Sequence, residues 1–203
     1  MLFNKIQETI DNLDVNSISI ERRTVLQPLI DYILSKKELG EEINLNFICT
    51  HNSRRSHLAQ IWAQTMATCF NIRNIYCYSG GTEATALFVS IKETLEEEGF
   101  LFEITAEDKN PIYQIYYSDD MQPIIGFSKK YDHSNNPSSN FAAVMTCSQA
   151  DENCPLIMGA EQRIPLIYED PKAFDNTPLE KEKYIERSMQ IATEMCYVFS
   201  NIN

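Results

Sequence analysis

Positive charge is scarce in this sequence: 17 Lys and Arg residues stand against 29 Asp and Glu residues, which gives a formal net charge of −12. Nucleic acids and anionic membranes select surfaces rich in Lys and Arg, so we expect neither to be the main partner. Apolar runs are also short, and none approaches the roughly 20 residues that cross a bilayer. Residues 1–8 lack the apolar segment and the small-residue cleavage site of a secretory signal. These absences predict a cytoplasmic protein without a membrane partner.

The cysteines do not form the pattern of a disulfide framework. Such frameworks stabilise small secreted domains, whereas this chain has 203 residues, 43% of them hydrophobic, which is enough for one α/β domain with its own core. We therefore expect reduced cysteines that are either buried or chemically active. The cysteines are Cys49, Cys69, Cys77, Cys147, Cys154 and Cys196. Three of them, Cys69, Cys77 and Cys196, have apolar neighbours and are predicted to be core residues.

Predicted strands and helices alternate along most of the chain. The strands are predicted at 44–49, 75–79, 141–146 and 164–168, and the helices at 55–70, 84–98 and 177–200. This alternation favours parallel pairing with right-handed crossovers. The predicted fold class is α/β, with an open, mainly parallel four-stranded sheet and helices on both faces. Two further helices make residues 1–42 an N-terminal helical extension, and residues 43–203 form the α/β domain, with an inserted hairpin and loop at about 110–140.

The segment CTHNSRRS, residues 49–56, joins the first predicted strand to a helix. Ligands of open α/β sheets bind at the carboxyl ends of strands, and the N–H groups at a helix N-terminus attract anions. The same positive field favours a thiolate at Cys49. Arg55 adds a planar fork that can hold two oxygens of a tetrahedral anion, and Ser56 can donate a hydrogen bond to the sulfur. The pattern predicts a thiolate that attacks a bound tetrahedral oxyanion, either arsenate or a phosphate ester.

This segment resembles the active-site loop of the low-molecular-weight protein tyrosine phosphatases and of the thioredoxin-coupled arsenate reductases that share their fold. The likeness continues through HLAQ, residues 57–60, and YSGGTE, residues 78–83. It implies that Cys49 is the nucleophile and that Arg55 is the oxyanion clamp. The residues that it implies for oxyanion binding and loop shaping are Thr50, His51, Asn52, Ser53, Arg54 and Ser56.

Two positions depart from the reductase pattern. Arg54 stands where the reductases often have another cysteine, and Gln60 stands where some have a glutamate that helps to hold a potassium ion. No catalytic metal is implied, and a potassium ion near Asn52, Gln60 and Ser79 is the one candidate ion.

A second pair of cysteines lies in CSQADENCP, residues 147–155. In a straight helix residues seven apart are separated by about 10 Å. A disulfide spans at most about 7 Å between Cα atoms, so bridging Cys147 and Cys154 requires the segment to unwind. The order of residues resembles that of the arsenate reductases. The resemblance implies that Cys147 attacks Cys49, that Cys154 then attacks Cys147, and that thioredoxin or a similar dithiol reduces the final disulfide.

A candidate acid follows the last predicted strand. Asp170 precedes Pro171, and a proline restricts the backbone of the residue before it. By resemblance to the phosphatase fold, Asp170 protonates the leaving group and then activates water, with Glu169 as the alternative. The phosphatases continue with aromatic residues that grip a phosphotyrosine ring, whereas this sequence offers only Phe174 nearby.

Three functions remain open from the sequence. The first is arsenate reduction through Cys49, Cys147 and Cys154, with a thioredoxin-like reductant, as in arsenic detoxification. The second is hydrolysis of a phosphate ester by a protein tyrosine phosphatase, for which Cys49, Arg55 and Asp170 suffice. The third is a non-enzymatic sensor of redox state or oxyanions that acts through the N-terminal extension or the inserted hairpin. A homodimer is a candidate assembly.

Overall fold

The structure is a computed structural model that describes residues 1–153 and 156–202. Its helices are α1 (Asn4–Asp11), α2 (Ile20–Leu39), α3 (Arg55–Cys69), α4 (Val89–Glu97), α5 (Ser148–Asn153) and α6 (Glu180–Ser200). Its strands are β1 (Ile43–Cys49), β2 (Ile75–Gly81), β3 (Leu101–Ala106), β4 (Ile112–Tyr116), β5 (Ile124–Gly126), β6 (Phe141–Met145) and β7 (Ala160–Pro165). A 3₁₀ turn, Pro171–Phe174, lies between β7 and α6.

Four strands form the main sheet in the order β2-β1-β6-β7, and all neighbouring pairs are parallel. Their carboxyl ends therefore meet at one edge, where Cys49 pairs with Gly81 and Ile48 pairs with Met145. The central strands β1 and β6 are almost wholly buried, as expected of parallel strands that are covered on both faces. The predicted α/β class with a parallel four-stranded sheet is confirmed.

A second sheet, with three antiparallel strands, is built from β3, β4 and β5. The predicted hairpin corresponds to β4 and β5, in which Gln114 pairs with Ile125. The sequence pattern does not predict β3. Almost all side chains of β3 are exposed, so no buried face imposes a pattern on its sequence.

The last strand of the main sheet begins earlier than predicted. β7 starts at Ala160 rather than at Ile164, because the polar residues before Ile164 also pair with β6. Beyond β7 the chain still follows the end of β6, and the Tyr168 N–H donates to the Thr146 carbonyl (3.2 Å). The apolar run therefore marks the buried part of this segment and not the limits of its pairing.

Local signals define both ends of the long helix α2. Ser19 caps the N-terminus by accepting a hydrogen bond from the Arg22 N–H (3.1 Å), and Gly40 ends the helix in the left-handed region (φ 69°). Lys36 and Lys37 in the last turn interact favourably with the negative end of the helix dipole. No helix in the described part of the chain, α2 included, is both long and apolar enough to cross a membrane.

One hydrophobic core joins the N-terminal helices to the main sheet. Ile6 of α1 and Leu26 and Ile33 of α2 are fully buried in the same cluster as Phe47 of β1 and Trp62 of α3. Helices α1 and α2 therefore contribute to the stability of the core that positions β1 and the loop after it.

Candidate active site

Cys49 is the last residue of β1 and is almost completely buried. Its Sγ accepts a hydrogen bond from the Asn52 N–H (3.1 Å) and lies 3.1 Å from the Ser56 hydroxyl, which can donate to it. Donors that converge on a sulfur stabilise the thiolate, which is the nucleophilic form of cysteine. The predicted nucleophile therefore stands in surroundings that suit this role.

Asn52 gives the segment 49–56, here named the Cys49 loop, its shape. Its backbone lies in the left-handed region (φ 44°), which Asn tolerates better than most residues. Its side-chain amide donates to Ser56 Oγ (2.9 Å), and its side-chain oxygen accepts from the Lys129 N–H (2.9 Å). Because both ends of the side chain are bonded, the loop is held in the conformation that directs the Asn52 N–H at Cys49.

His57 supports the loop from a fully buried position. Its Nε2 lies 3.0 Å from the Asn52 carbonyl, and its Nδ1 lies 3.3 Å from the Ser79 hydroxyl. A carbonyl can only accept, so Nε2 carries the proton and Nδ1 accepts from Ser79. Burial, aided by the positive charge of Lys129, lowers the pKa of His57 to about 3. The ring is therefore neutral at physiological pH and holds the loop rather than transferring protons.

Strand β2 approaches the Cys49 loop so closely that only glycine fits at its end. A Cβ on Gly81 would lie 2.7 Å from both the Asn52 nitrogen and the Thr50 carbonyl oxygen. A backbone hydrogen bond from the Glu83 N–H to the same Thr50 carbonyl (2.8 Å) fixes this contact. The segment YSGGTE is thus one wall of the site.

Arg55 begins α3 and reaches the segment after β7. Its guanidinium donates to the Tyr168 carbonyl (2.8 Å) and to Asp170 Oδ2 (2.5 Å). The structure thus brings together the predicted oxyanion clamp and the predicted acid, which are 115 positions apart in the sequence. An oxyanion that binds Arg55 would compete with Asp170 for the same donors.

The two candidate acids differ in how firmly they are held. Asp170 Oδ1 accepts from the Lys172 N–H (3.1 Å) and so caps the 3₁₀ turn, while its other oxygen binds Arg55. Glu169 is 93% exposed, and its contact is a long ion pair with Arg187 (3.6 Å). The structure places Asp170, and not Glu169, beside Arg55.

Arg54 has a different environment from its neighbour Arg55. Its Nε donates to the Tyr184 hydroxyl (2.6 Å), its NH2 group pairs with Asp175 (2.7 Å), and its guanidinium lies 4.0 Å from the centre of the Phe88 ring. With its donors directed at α6 and the 3₁₀ segment, Arg54 anchors the loop to the rest of the protein.

The remaining loop residues are held mainly through their backbones. The His51 carbonyl accepts from the Ser128 hydroxyl (2.8 Å), and the Ser53 carbonyl accepts from the Phe88 N–H (3.0 Å). This second bond keeps the chain before α4 extended, so α4 begins at Val89 and not at 84 as predicted. The His51 ring is partly exposed, and its Nε2 lies 3.7 Å from a Glu83 carboxylate oxygen.

Cys147 lies directly against the Cys49 loop. It follows β6, is almost fully buried, and its Sγ lies 3.4 Å from the Thr50 hydroxyl. The same sulfur accepts from the Ala150 N–H (3.3 Å). Thr50 also donates to Gln149 (3.2 Å), so the loop and α5 are in contact through side chains. The second predicted cysteine of the relay, Cys154, lies outside the described residues.

The other described cysteines are in environments that disfavour a thiolate. Burial raises the pKa of Cys77 strongly and that of Cys196 to about 11. Burial and the nearby Asp11 carboxylate raise the pKa of Cys69. These three are free thiols, in surroundings that agree with the core role expected for them.

The potassium ion suggested near Asn52, Gln60 and Ser79 stays a prediction, and the positive charge of Lys129 weighs against it. The Asn52 side-chain oxygen already accepts from the Lys129 N–H, and Ser79 donates to His57. Gln60 Oε1 has no partner among the described residues, but the Lys129 ammonium is near enough to lower the pKa of His57 and would repel a cation. Within the described ranges, no three His, Cys, Asp or Glu side chains are grouped to hold a metal ion.

Three supports of the site are not predicted from the sequence: the Lys129 N–H, the Ser128 hydroxyl and the Tyr168 carbonyl. Ser128 and Lys129 are each 77 positions from the loop residue that they bind. Two of the three contribute backbone atoms, which every residue possesses. No signal in a single sequence identifies such a donor or acceptor.

Comparisons with known proteins bear on the fold. No family model matches the chain, and no curated protein matches it. A solved low-molecular-weight phosphotyrosine phosphatase from Vibrio cholerae O395 matches with a TM-score of 0.50 and 14% identity, over 78% of this chain and 94% of that one. An arsenate reductase in the phosphate-binding state matches with a TM-score of 0.49 and 18% identity, over 79% of this chain and 99% of that one. A low-molecular-weight protein tyrosine phosphatase from T. tengcongensis matches with a TM-score of 0.48 and 13% identity, over 79% of this chain and 97% of that one.

At such low identities the likeness concerns the fold, and the first of these matches carries it. The Vibrio phosphatase is covered almost from end to end, so the similarity extends over the whole of that domain and not over one motif. This chain therefore has the fold of the low-molecular-weight phosphotyrosine phosphatases, as the resemblance of its sequence predicts.

Proposed function

We propose that this protein is an arsenate reductase in which Cys49 attacks the bound oxyanion and Cys147 resolves the adduct. The observation that carries the proposal is the 3.4 Å contact between Cys147 Sγ and the Thr50 hydroxyl of the Cys49 loop. A hydrolase of this fold needs one thiolate, whereas a reductase needs a second thiol beside the first.

Arsenate binds where the Cys49 loop meets α3. Backbone N–H groups at the N-terminus of a helix attract a dianion, and the Arg55 guanidinium adds a planar fork of donors. The net charge of −12 does not prevent this, because the local donors dominate the field at short range. When the oxyanion takes the donors of Arg55, Asp170 loses that partner and is released to act as the acid.

The first chemical step forms a bond between sulfur and arsenic. The Cys49 thiolate attacks the arsenic atom, and one oxygen leaves as water with a proton supplied by Asp170. Arsenic remains in the +5 state in this step. Asn52 and Ser56 hold the sulfur in position before the attack and stabilise it as the thiolate.

The second step transfers two electrons to arsenic. The Cys147 thiolate attacks the Sγ of Cys49, the sulfur–arsenic bond breaks, and its electron pair remains on arsenic, which leaves as arsenite. Two thiols become one disulfide while arsenic passes from +5 to +3, so the electrons balance. Cys154 then attacks Cys147 and frees Cys49, and a thioredoxin-like dithiol reduces the Cys147–Cys154 disulfide.

The surroundings of Cys147 support this step. Its sulfur accepts from the Ala150 N–H, which can stabilise a thiolate, and lies 3.4 Å from the Thr50 hydroxyl. Its side chain is 1% exposed, so solution thiols and oxidants have little access to it before the adduct forms. The position of Cys154 in the relay is proposed from the sequence.

A second candidate function is hydrolysis of a phosphate ester, and the pairing of Arg55 with Asp170 favours it (2.5 Å). In that reaction Cys49 forms a phosphocysteine, Asp170 protonates the leaving alcohol, and the same carboxylate then activates water. Cys147 takes no part in this cycle, so the two functions differ in their need for it.

The test is turnover of arsenate with thioredoxin, thioredoxin reductase and NADPH, run beside hydrolysis of p-nitrophenyl phosphate. We expect arsenate-dependent NADPH oxidation in the wild type and its loss in C49S, C147S and C154S. Hydrolysis should be lost only in C49S. The matched control is C69S, which replaces a partly buried cysteine outside the site and should keep both activities.

Arsenate-dependent NADPH oxidation that persists in C147S would contradict the proposed relay through Cys147. Hydrolysis that requires Cys49, without any arsenate-dependent NADPH oxidation, would make the protein a phosphatase. Neither reaction in a folded wild type, together with a change of oligomeric state on oxidation or on adding arsenate, would point to a sensor.

A further inference from the structure

A cavity of about 900 Å³ lies beside β2, the strand at one edge of the main sheet. One side is formed by β2, α3 and the loop between them, and the other side by β5 and the segments around it. None of residues 49–56 lines it, so it is separate from the candidate active site. Its volume lies within the range of about 300–1,000 Å³ that is usual for small-molecule sites.

The lining of this cavity has the opposite charge to the protein as a whole. One residue in seven of the chain is Asp or Glu, 29 of 203, yet neither residue type occurs among the described residues of the lining. Arg73 and Lys129 contribute positive charge instead. In a protein of net charge −12, a cavity whose described lining carries no carboxylate is a local environment that favours an anion.

Lys129 is the most unusual of the lining residues. It is 4% exposed, and its Nζ has no hydrogen-bond partner among the described residues. Its contact is with the face of the Phe127 ring, 4.7 Å from the ring centre, which stabilises a cation less than a carboxylate would. Burial lowers the pKa of Lys129 to about 8, and no carboxylate among the described residues offsets this effect. A buried and unpaired ammonium is costly, and an anionic ligand would relieve the cost.

Two further lining side chains have unpaired polar atoms. Gln60 Oε1 and Asn136 Oδ1 are buried, and neither has a partner among the described residues. Both are acceptors, so they call for a hydroxyl or N–H donor on whatever fills the cavity. Tyr117 and Phe127 provide aromatic surface against which a ring can pack.

The exposed edge of β2 is already bonded, which argues against an extended peptide as the occupant. The Gln64 side chain accepts from the Cys77 N–H (3.0 Å) and donates to the Ile75 carbonyl (3.4 Å). The Gln60 side chain donates to the Cys77 carbonyl (3.0 Å). These amides occupy the backbone groups that strand addition would use, so the cavity favours a small molecule over a β-strand.

We propose that this cavity is a binding site for a small aromatic acid, whose carboxylate pairs with Lys129, whose ring packs against Phe127 and Tyr117, and whose hydroxyl or N–H group donates to Gln60 or Asn136. The site is independent of the proposed reductase chemistry, and measurements of ligand binding alone test it.

The test is isothermal titration calorimetry of the full chain with 4-hydroxyphenylacetate, 4-hydroxybenzoate and phenylacetate. Each titration is run with and without excess inorganic phosphate, because phosphate occupies the Cys49 loop, whose N–H groups could otherwise bind the acids. Tyramine and 4-hydroxyphenylacetamide serve as the cationic and neutral analogues of the first acid. We expect saturable binding of 4-hydroxyphenylacetate, with no detectable binding of tyramine and weaker binding of the amide.

The decisive variant is K129M, and its matched control is K130M, because Lys130 is exposed and does not line the cavity. We expect K129M to weaken binding roughly tenfold or more, as the loss of a hydrogen bond to a charged group should, and K130M to leave it unchanged. Equal affinity in K129M would overturn the proposal, and so would failure of all three acids to bind the wild type. Chemical-shift changes confined to the Cys49 loop would overturn it as well. If K129M does not fold, shift mapping of wild-type Phe127 and Gln60 decides the question.

Discussion

The Cys49 loop and the cavity beside β2 meet at Lys129, but their polar groups are satisfied in different ways. Around Cys49, the side chains of Asn52, Ser56 and His57 are bonded to one another or to neighbouring strands. Around the cavity, Lys129 Nζ and Gln60 Oε1 are buried and have no partner in the described part of the chain. The backbone of Lys129 supports the loop, while its side chain belongs to the cavity.

This difference separates two uses of a buried polar group. Catalysis requires donors that are fixed before the substrate arrives, because ordering them during the reaction raises the barrier. A binding site can instead contain polar groups that have no hydrogen-bond partner until the ligand supplies one. We therefore expect substitutions around Cys49 to affect turnover or loop geometry, and substitutions around the cavity to affect binding and stability.

The largest effect is expected at Cys49 itself. C49S should lower arsenate turnover about 10⁴-fold or more, since serine is a far weaker nucleophile at neutral pH. Its melting temperature should stay close to that of the wild type, because the two side chains are nearly equal in size. Steady-state assays beside thermal melts measure both quantities. Turnover within tenfold of the wild type would mean that another group carries the chemistry.

The adjacent arginines should give contrasting results. R55K should lower kcat/KM about 100-fold, because a lysine cannot hold two oxygens of one anion as a guanidinium does. R54K should chiefly lower the free energy of unfolding, by about 1–2 kcal/mol, since it loses contacts to Tyr184 and Asp175. Kinetics and denaturant unfolding of both variants form the experiment. An equal loss of activity in R54K, without loss of stability, would contradict the anchoring role.

Asn52 should show separate contributions of backbone and side chain. N52G keeps a residue that adopts φ 44° readily but loses both side-chain bonds, whereas N52A also strains the backbone. We expect both to lose stability, with N52A lower by about 1 kcal/mol more than N52G. Chemical denaturation compares them. If the two variants are equally stable, backbone conformation is not what Asn52 contributes.

The last prediction concerns the pH dependence of stability, which should leave turnover of arsenate least affected. Burial lowers the pKa of folded Lys129 from 10.5 to about 8, so between these values the unfolded chain binds more protons and the wild type gains stability as pH rises. K129M lacks this gain and should be more stable than the wild type near neutral pH, by up to about 3 kcal/mol. Denaturant unfolding from pH 7 to 10.5 measures the difference, with K130M as the control. A difference that is independent of pH would mean that Lys129 titrates normally.

Much of the fold and of the chemical site follows from the sequence. Buried parallel strands appear in a sequence as apolar runs. Such runs predict β1, β2 and β6 to within a few residues of their observed bounds. The spacing of Cys49 and Arg55 is local, so a single segment reveals the loop and the helix that begins there. The role of Asp170 does not follow from a local segment, because only the chain topology brings this residue to Arg55.

The rest depends on contacts that leave no local pattern. β3 is missed because it buries almost nothing, and β7 is misplaced because polar residues extend its pairing. Lys129 gives no sign in the sequence of either of its roles. Its backbone bond to Asn52 requires only a nearby N–H, and its unpaired ammonium is unusual only because folding removes it from water.

The most direct test of the central claim is to trap the first disulfide. C154S, treated with one equivalent of arsenate and no reductant, should accumulate a Cys49–Cys147 disulfide and release an equal amount of arsenite. Peptide mass spectrometry identifies the disulfide bond. Measurement of arsenite and arsenate in solution gives the number of electrons transferred to arsenic. Both products together are the predicted result. Arsenite without that disulfide, or no arsenite at all from a folded protein, would contradict the account.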